Sequence, residues 1–219
     1  MPGKSAEKTR ERIIRAAAQV FYNVNYHEAG LRDIAKLSGI SPRCIYKYFP
    51  NKEQLLVAMN NEGLKLMMME MEQHLTGVEG ALNKLRKMTY FYLDYFKRNP
   101  RIAWQVYIST NLNMWRSSDE AWRNLGATQA VLSKILEEGQ AGGEFRKEID
   151  FNAVRLLYFG GIRFAIQSWL AAEQDWDLMS VADGLTTTIY EAVKKQADNV
   201  LPAVCPLLQN QAKNIIEIV

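Results

Sequence analysis

A chain of 219 residues, 48% hydrophobic and 23% charged, can bury a core, which excludes a disordered polymer. Its apolar runs are only a few residues long, and the opening MPGKSAEKTRERIIRAAA carries charge but no apolar stretch, so neither a membrane span nor a signal peptide is expected and a cytoplasmic location is. The net charge of +3 is uneven: residues 1–55 hold ten Lys and Arg against five Asp and Glu, and the remainder seventeen against nineteen. A basic lobe on a near-neutral body suits a polyanion at one end and a different partner at the other.

Helical periodicity runs through the chain and no alternating strand pattern of useful length occurs, which predicts an all-α protein. The first helix is expected over residues 8–24, with Ile13, Ile14, Ala17, Val20, Phe21 and Val24 on one apolar stripe. Helices follow over 31–37 and 42–49, separated by the turn Ser38-Gly39-Ile40. Pro50 then breaks the chain, and Asn51 with Gln54 three residues later has the form of a capping box, so a long helix is expected over 52–74, linking two lobes. Further helices are predicted over 78–98, 102–116, 119–139, 151–173 and 178–198, and the tail is broken by Pro202 and Pro206.

The segment LRDIAKLSGISPRCIYKYF has the spacing of a helix-turn-helix. Ala35 is small where two helices approach, Gly39 lies four residues on where the turn needs positive φ, and Ile45 lies six beyond and faces back into the pair. Ser41 suits the N-cap and Pro42 the first helical position. With Ile45 and Phe49 inward, the outer face presents Pro42, Arg43, Tyr46 and Lys47, flanked by Cys44 and Tyr48. Arg43 can read guanine through a bidentate contact, while Lys47, Tyr48 and the helix start at Lys52 can hold phosphates.

These residues carry a resemblance. RERIIRAAAQVFYNVNYHEAGLRDIAKLSGISPRCIYKYFPNKEQLL resembles the N-terminal domain of the tetracycline-repressor (TetR) family of transcriptional regulators, through the RDIA helix, the GIS turn, the IYKYF helix and the Asn-Lys-Glu that opens the fourth helix. GEFRKEIDFNAVRLLYFGG is similar to the loop and eighth helix of many members. The resemblance implies a three-helix DNA-binding domain at residues 1–52 and a larger helical domain at 53–219 that binds an effector and dimerises. It implies a homodimer on a palindromic double-stranded operator, with recognition helices roughly 34 to 36 Å apart. It also implies that Tyr46, Tyr48 and Lys52 touch the DNA backbone and that residues before Tyr46 read sequence. The expected DNA-binding set is Arg32, Ser41, Pro42, Arg43, Cys44, Tyr46, Lys47, Tyr48 and Lys52. Two departures stand out: members often carry Thr or Ser before the RDIA helix where this chain has Ala29-Gly30, and a glycine and Ser/Thr where it has Arg43-Cys44.

For a small-molecule effector the candidate lining is Met67, Met71, Tyr92, Tyr95, Phe96, Trp104, Tyr107, Met114 and Trp115, an aromatic and sulfur-rich set suited to an apolar or amphipathic ligand. The region from GEFRKEID to Trp169 looks like that of acyl-CoA-responsive members, so a fatty acyl-CoA is one candidate. Gly160 and Gly161 would each cost about 1 kcal/mol in an exposed helix interior, which close helix packing would explain. The candidate dimer interface is Tyr158, Gly161, Phe164, Ala165, Gly184, Thr188 and Ala192, two helices from each subunit forming a four-helix contact.

Nothing points to catalysis. His27 and His74 have no third group at ligand spacing, the lone Cys44 and Cys205 form no paired motif, and no phosphate loop or dinucleotide fingerprint occurs. No metal, cofactor or membrane partner is expected. Cys44 reads as a stand-in for a small hydroxyl residue or as a redox sensor near a helix start. The expected function is a ligand-responsive regulator, a repressor released by its effector. The residues also accommodate an activator, or a helical adaptor whose helix-turn-helix lobe contacts protein.

Overall fold

The computed structural model describes residues 4–24, 26–109 and 119–195, and these form helices α1 (Lys4–Asn23), α2 (Leu31–Ser38), α3 (Pro42–Tyr48), α4 (Lys52–Leu75), α5 (Ala81–Arg98), α6 (Pro100–Trp104), α7 (Asp119–Ala141), α8 (Phe151–Ala171) and α9 (Ala182–Val193). A single π-helical turn, Gln105–Ser109, continues α6, and a 3-10 turn, Leu178–Val181, precedes α9. Among the described residues no helix is long and apolar enough to cross a membrane.

Two cores result. The first joins Ile13, Ile14, Ala17, Val20 and Phe21 of α1 to Ile34, Ala35, Ile45 and Phe49 of the helical pair. Leu55, Leu56, Val57, Ala58 and Met59 of α4 complete it, so this packing continues past the expected boundary at 52/53. Val24, placed on the α1 stripe from its spacing, is instead 42% exposed, because the helix stops one residue earlier. The second core begins on the same α4 with Met67 and Met71 and gathers α5, α7, α8 and α9 around them.

Local chemistry sets the helix ends. Gly39 takes φ 65 and its N–H donates to Ala35 O, closing α2 with a left-handed cap that a β-carbon would strain. Ser41 Oγ accepts from Cys44 N at 3.3 Å to open α3, and Asn51 Oδ1 accepts from Gln54 N at 2.8 Å to open α4. The expected start of α5 at residue 78 is corrected to Ala81. Gly80, at φ 81, ends the preceding loop, and Glu144 supplies the cap, its carboxylate accepting from Ala81 N at 2.9 Å and Leu82 N at 3.2 Å. A carboxylate at a helix N-terminus meets both the orphan donors and the positive end of the dipole. Of the expected 102–116 helix, residues 110–116 lie outside the described residues and the rest falls in α6 and the π turn, while the predicted 178–198 helix is, as far as it is described, a capped 3-10 turn followed by α9, with Asp177 accepting from Met179 N at 3.1 Å.

Phe145, beside the capping Glu144, is 2% exposed and lies against Gly139, where a β-carbon would stand 2.1 Å from its ring. Gly139→Ala is therefore expected to destabilise the protein by about 1–3 kcal/mol through overpacking, read as a lowered urea midpoint with an unchanged slope. An unshifted midpoint would contradict this packing.

Candidate DNA-reading surface and effector cavity

The helix-turn-helix faces outward as its sequence pattern requires. Ile45 is fully buried and Phe49 nearly so, while Arg43, Lys47 and Tyr46 (52% exposed) form the outer face of α3, with Cys44 and Tyr48 half-buried on its flanks. No acid lies on α3, and Arg32 is exposed on α2. Arg10 braces this lobe from behind, its guanidinium 5.6 Å from the Phe49 ring centre and 3.7 Å from Glu62. Ser41 and Pro42 are exposed at the start of the helix.

Lys52, at the start of α4, reaches back to the loop before α2. Its Nζ donates to Ala29 O at 3.0 Å and to His27 O at 3.3 Å and stands 4.4 Å over the Tyr26 ring. Burial pulls its pKa below the usual lysine value.

A cavity of about 210 Å³ opens between the two cores. Five of the nine expected residues line it: Met67, Tyr92, Tyr95, Phe96 and Tyr107. Met71 is fully buried in the core instead, and Trp104 is 45% exposed and outside the lining. The reason is helical phase: Ile102 and Val106, four residues apart, face the cavity, which turns Trp104 to the far side. Met114 and Trp115 lie outside the described residues. The lining also includes residues not expected from sequence: Asn60 and Leu64 of α4, Thr128 of α7, Phe159 and Arg163 of α8 and, from the first lobe, Tyr22 of α1. Burial pushes the hydroxyls of Tyr92 and Tyr107 above the usual tyrosine range, as it does that of Tyr158 behind them, so all stay protonated near neutrality. The wall is thus apolar and aromatic with neutral hydroxyls, and Arg163 is the one cationic side chain among the described lining residues.

The cavity is tied directly to the first lobe. The last carbonyls of α1 are orphan acceptors, and the second lobe satisfies two of them: Gln105 Nε2 donates to Phe21 O at 2.6 Å, and Arg101 Nη1 donates to Tyr22 O. Gln105 is 3% exposed and opens the π turn, whose Tyr107 carbonyl accepts in turn from Gln167 Nε2 of α8 at 2.9 Å.

The expected dimer residues divide between inside and outside. Tyr158 is a correction: it is 2% exposed, within hydrogen-bond distance of Thr89 Oγ1 at 3.3 Å, on the stripe with Ile162, Ile166 and Trp169 that α8 turns to the core. Gly161 faces α9 of the same chain, where a β-carbon would stand 3.0 Å from Leu185, and Ala165 is half-buried. Phe164 (72% exposed), Gly184, Thr188 and Ala192 lie outward, joined by Leu156 and Leu157 at 76% and 62% exposure.

With this geometry in view, the comparisons with known proteins agree. The profile for bacterial regulatory proteins of the tetR family matches residues 13–59, and that for the YsiA-like protein C-terminal region matches residues 60–192. This chain belongs to the TetR family: it is a DNA-binding, ligand-binding transcriptional regulator of helix-turn-helix type and not an enzyme. It is 27% identical over 184 residues to the fatty acid metabolism regulator protein of Bacillus subtilis, covering 83% of this chain and 93% of that one. It is 28% identical over 200 residues to the transcriptional repressor NicS of Pseudomonas putida, covering 84% and 90%. The crystal structure of the regulator FadR from Bacillus subtilis in complex with stearoyl-CoA shares the fold, with a TM-score of 0.71 at 24% identity over 83% of this chain and 98% of that one.

Arg43 is exposed on the reading face with no carboxylate on its own helix. Arg43→Ala is expected to weaken binding to the preferred DNA site by about 1–3 kcal/mol and to relax preference at one base position, measured by anisotropy titration against a set of single-base variants. Uniform weakening across all variants would make Arg43 a phosphate contact instead.

Proposed function

We propose that this protein is a repressor that binds a palindromic operator as a homodimer and is released when an amphipathic effector, a fatty acyl-CoA, enters the cavity between its cores. The observation that carries the release mechanism is the position of Tyr22: a residue of the DNA-reading lobe lines the effector cavity, and the carbonyls of Phe21 and Tyr22 are held by Gln105 and Arg101 from the effector lobe. A ligand that presses on Tyr22, Tyr107 and Met67 meets α1, the π turn and α4 together. It need only favour the arrangement in which these three have shifted to lower the population with recognition helices one DNA turn apart.

The choice of effector rests on the wall chemistry and on the relatives. An aromatic and apolar chamber takes an acyl chain, and the exposed guanidinium of Arg163 suits an anionic head group. One relative bears the name fatty acid metabolism regulator and a protein of the same fold was crystallised with stearoyl-CoA. For the dimer, Leu156, Leu157 and Phe164 of α8 beside Gly184, Thr188 and Ala192 of α9 supply an apolar strip with small residues, which two helices of a second copy can cover.

Titrating acyl-CoA into the protein bound to DNA selected from a random pool should release the DNA; a complex unmoved by acyl-CoA of any chain length rules out this effector. Gln105→Leu leaves a buried acceptor at Phe21 unpaired and cuts one of the two links. It should reduce the effector-induced loss of DNA affinity by about fivefold or more, within the usual span of allosteric coupling, while acyl-CoA binding measured without DNA persists. Phe164→Glu should shift the protein to monomer in sedimentation and abolish binding to the full palindrome; a dimer that survives it places the interface elsewhere.

A further inference from the structure

One polar group on the cavity wall lacks a bonding partner. The Tyr92 side chain is 3% exposed, yet its hydroxyl meets no hydrogen-bond partner of standard length and angle within the protein. Among the described lining residues it is the one buried side-chain polar group in that state. Its ring is held edge-to-face against Phe91 and Phe159, whose ring centres are 6.4 and 6.0 Å away. Thr128 and Tyr107 bear on the protonation of this hydroxyl and line the same cavity, so the oxygen faces the chamber; Thr128 does so without completing a bond of standard geometry. Buried hydroxyls in folded proteins are nearly always satisfied. One left open on the wall of a cavity marks the place of a ligand atom.

We propose that Tyr92 recognises the acyl carbonyl of the effector: its hydroxyl donates to the carbonyl oxygen, while the chain lies against the apolar wall of Leu64, Met67 and Phe96. The inference rests on the reading of the cavity as an acyl-CoA site and names the atom of that ligand that is read. The acyl part of a fatty acyl-CoA has a single hydrogen-bonding group, the thioester carbonyl oxygen, which only accepts. Taken into an aromatic chamber, that oxygen loses its bonds to water, and only a donor in the wall replaces them. A neutral phenol O–H supplies the donor and, unlike a lysine or arginine, brings no charge into an apolar wall. The same contact gives the Tyr92 hydroxyl the partner it lacks, so one bond satisfies two groups. On α8, Phe159 packs against the Tyr92 ring and Arg163 is exposed one helical turn further on. The anionic part of the ligand therefore belongs at the mouth and the carbonyl further in.

The test measures binding of octanoyl-, lauroyl- and palmitoyl-CoA, and of the matching S-alkyl-CoA thioethers, to full-length wild type and Tyr92→Phe by calorimetry without DNA. A thioether keeps the chain, the sulfur and the CoA and puts a methylene in place of the carbonyl. Carbonyl recognition predicts that, for the chain length bound tightest, the acyl-to-alkyl affinity ratio falls roughly tenfold in Tyr92→Phe, the size of one hydrogen bond, while alkyl binding persists. The unliganded variant should keep or raise its urea midpoint, because the hydroxyl it loses had no partner. An unchanged ratio, including an equal loss for both ligands, overturns the proposal and leaves acyl-CoA standing as the effector. A lowered midpoint places the hydroxyl in a bond within the protein and overturns it as well. If wild type binds neither series, the acyl-CoA reading itself fails, and the role of Tyr92 falls with it.

Discussion

One helix belongs to two cores, and the rest of the molecule is arranged around that constraint. The 24 residues of α4 form a continuous hydrogen-bonded rod roughly 36 Å long. Leu55 to Met59 are packed under the helix-turn-helix, and Met67 and Met71 lie on the part of α4 that packs with α5 and α7. Close-packed interiors resist gradual deformation, so a displacement at the methionine end is carried to the Asn51 cap and to Lys52 as a movement of the whole rod. The DNA-reading lobe cannot be indifferent to the packing around the cavity.

A rod alone would let the small lobe pivot about it. The links from Gln105 and Arg101 to the end of α1 supply a second point of attachment, and two points define an orientation where one does not. The energetic asymmetry of buried hydrogen bonds makes the Gln105 link more than a contact. When made it contributes about 0.5–1.5 kcal/mol, but a buried Phe21 carbonyl left without a donor costs about 1–3 kcal/mol. The π turn that carries Gln105 is a widened segment of helix, a form that recurs at functional positions. At the far end, Glu144 fixes α5 to the loop before α8, and the N–H of Arg146 donates to Val193 O at 2.9 Å, holding the end of α9. The cavity therefore has one anchored end and one end joined to the helix-turn-helix lobe.

Local rules made much of the reading lobe legible. Ser41 and Asn51 are capping residues by type, Gly39 is the residue a left-handed cap requires, and the spacing of Ile45 and Phe49 identifies the outer face of α3 without knowledge of the fold. Features that depend on distant partners were not legible. The cap of α5 comes from Glu144, more than sixty residues away, so periodicity alone began that helix three residues early. Tyr22 sits on an ordinary first-lobe helix and reaches the cavity only through the tertiary arrangement of α1 against α6. On α8, apolar residues surround most of the helix, so Tyr158 and Phe164 looked equivalent from sequence; only packing turned the first inward and left the second exposed. Lys52 shows the same limit for charge: its residue type and position suggest a phosphate contact, but only the fold reveals its contacts with the Ala29 and His27 carbonyls and the Tyr26 ring.

The departures from the family pattern are connected through this geometry. Ala29-Gly30 removes a hydroxyl from the start of α2, and the Lys52 ammonium donates to the Ala29 and His27 carbonyls in the loop before it. Arg43-Cys44 places a bidentate donor on the reading face one residue before a half-buried thiol. An arginine that reads base edges is sensitive to placement, because a bidentate pair needs both N–H groups aligned with two acceptors at once. A reader that relies on such a contact gains from a rigid helix pair, and it loses discrimination quickly when that pair tilts. On the proposed function, a base contact by Arg43 would thus also be the contact most easily broken by a shift of α1 and α4, and recognition and release would act on the same few residues.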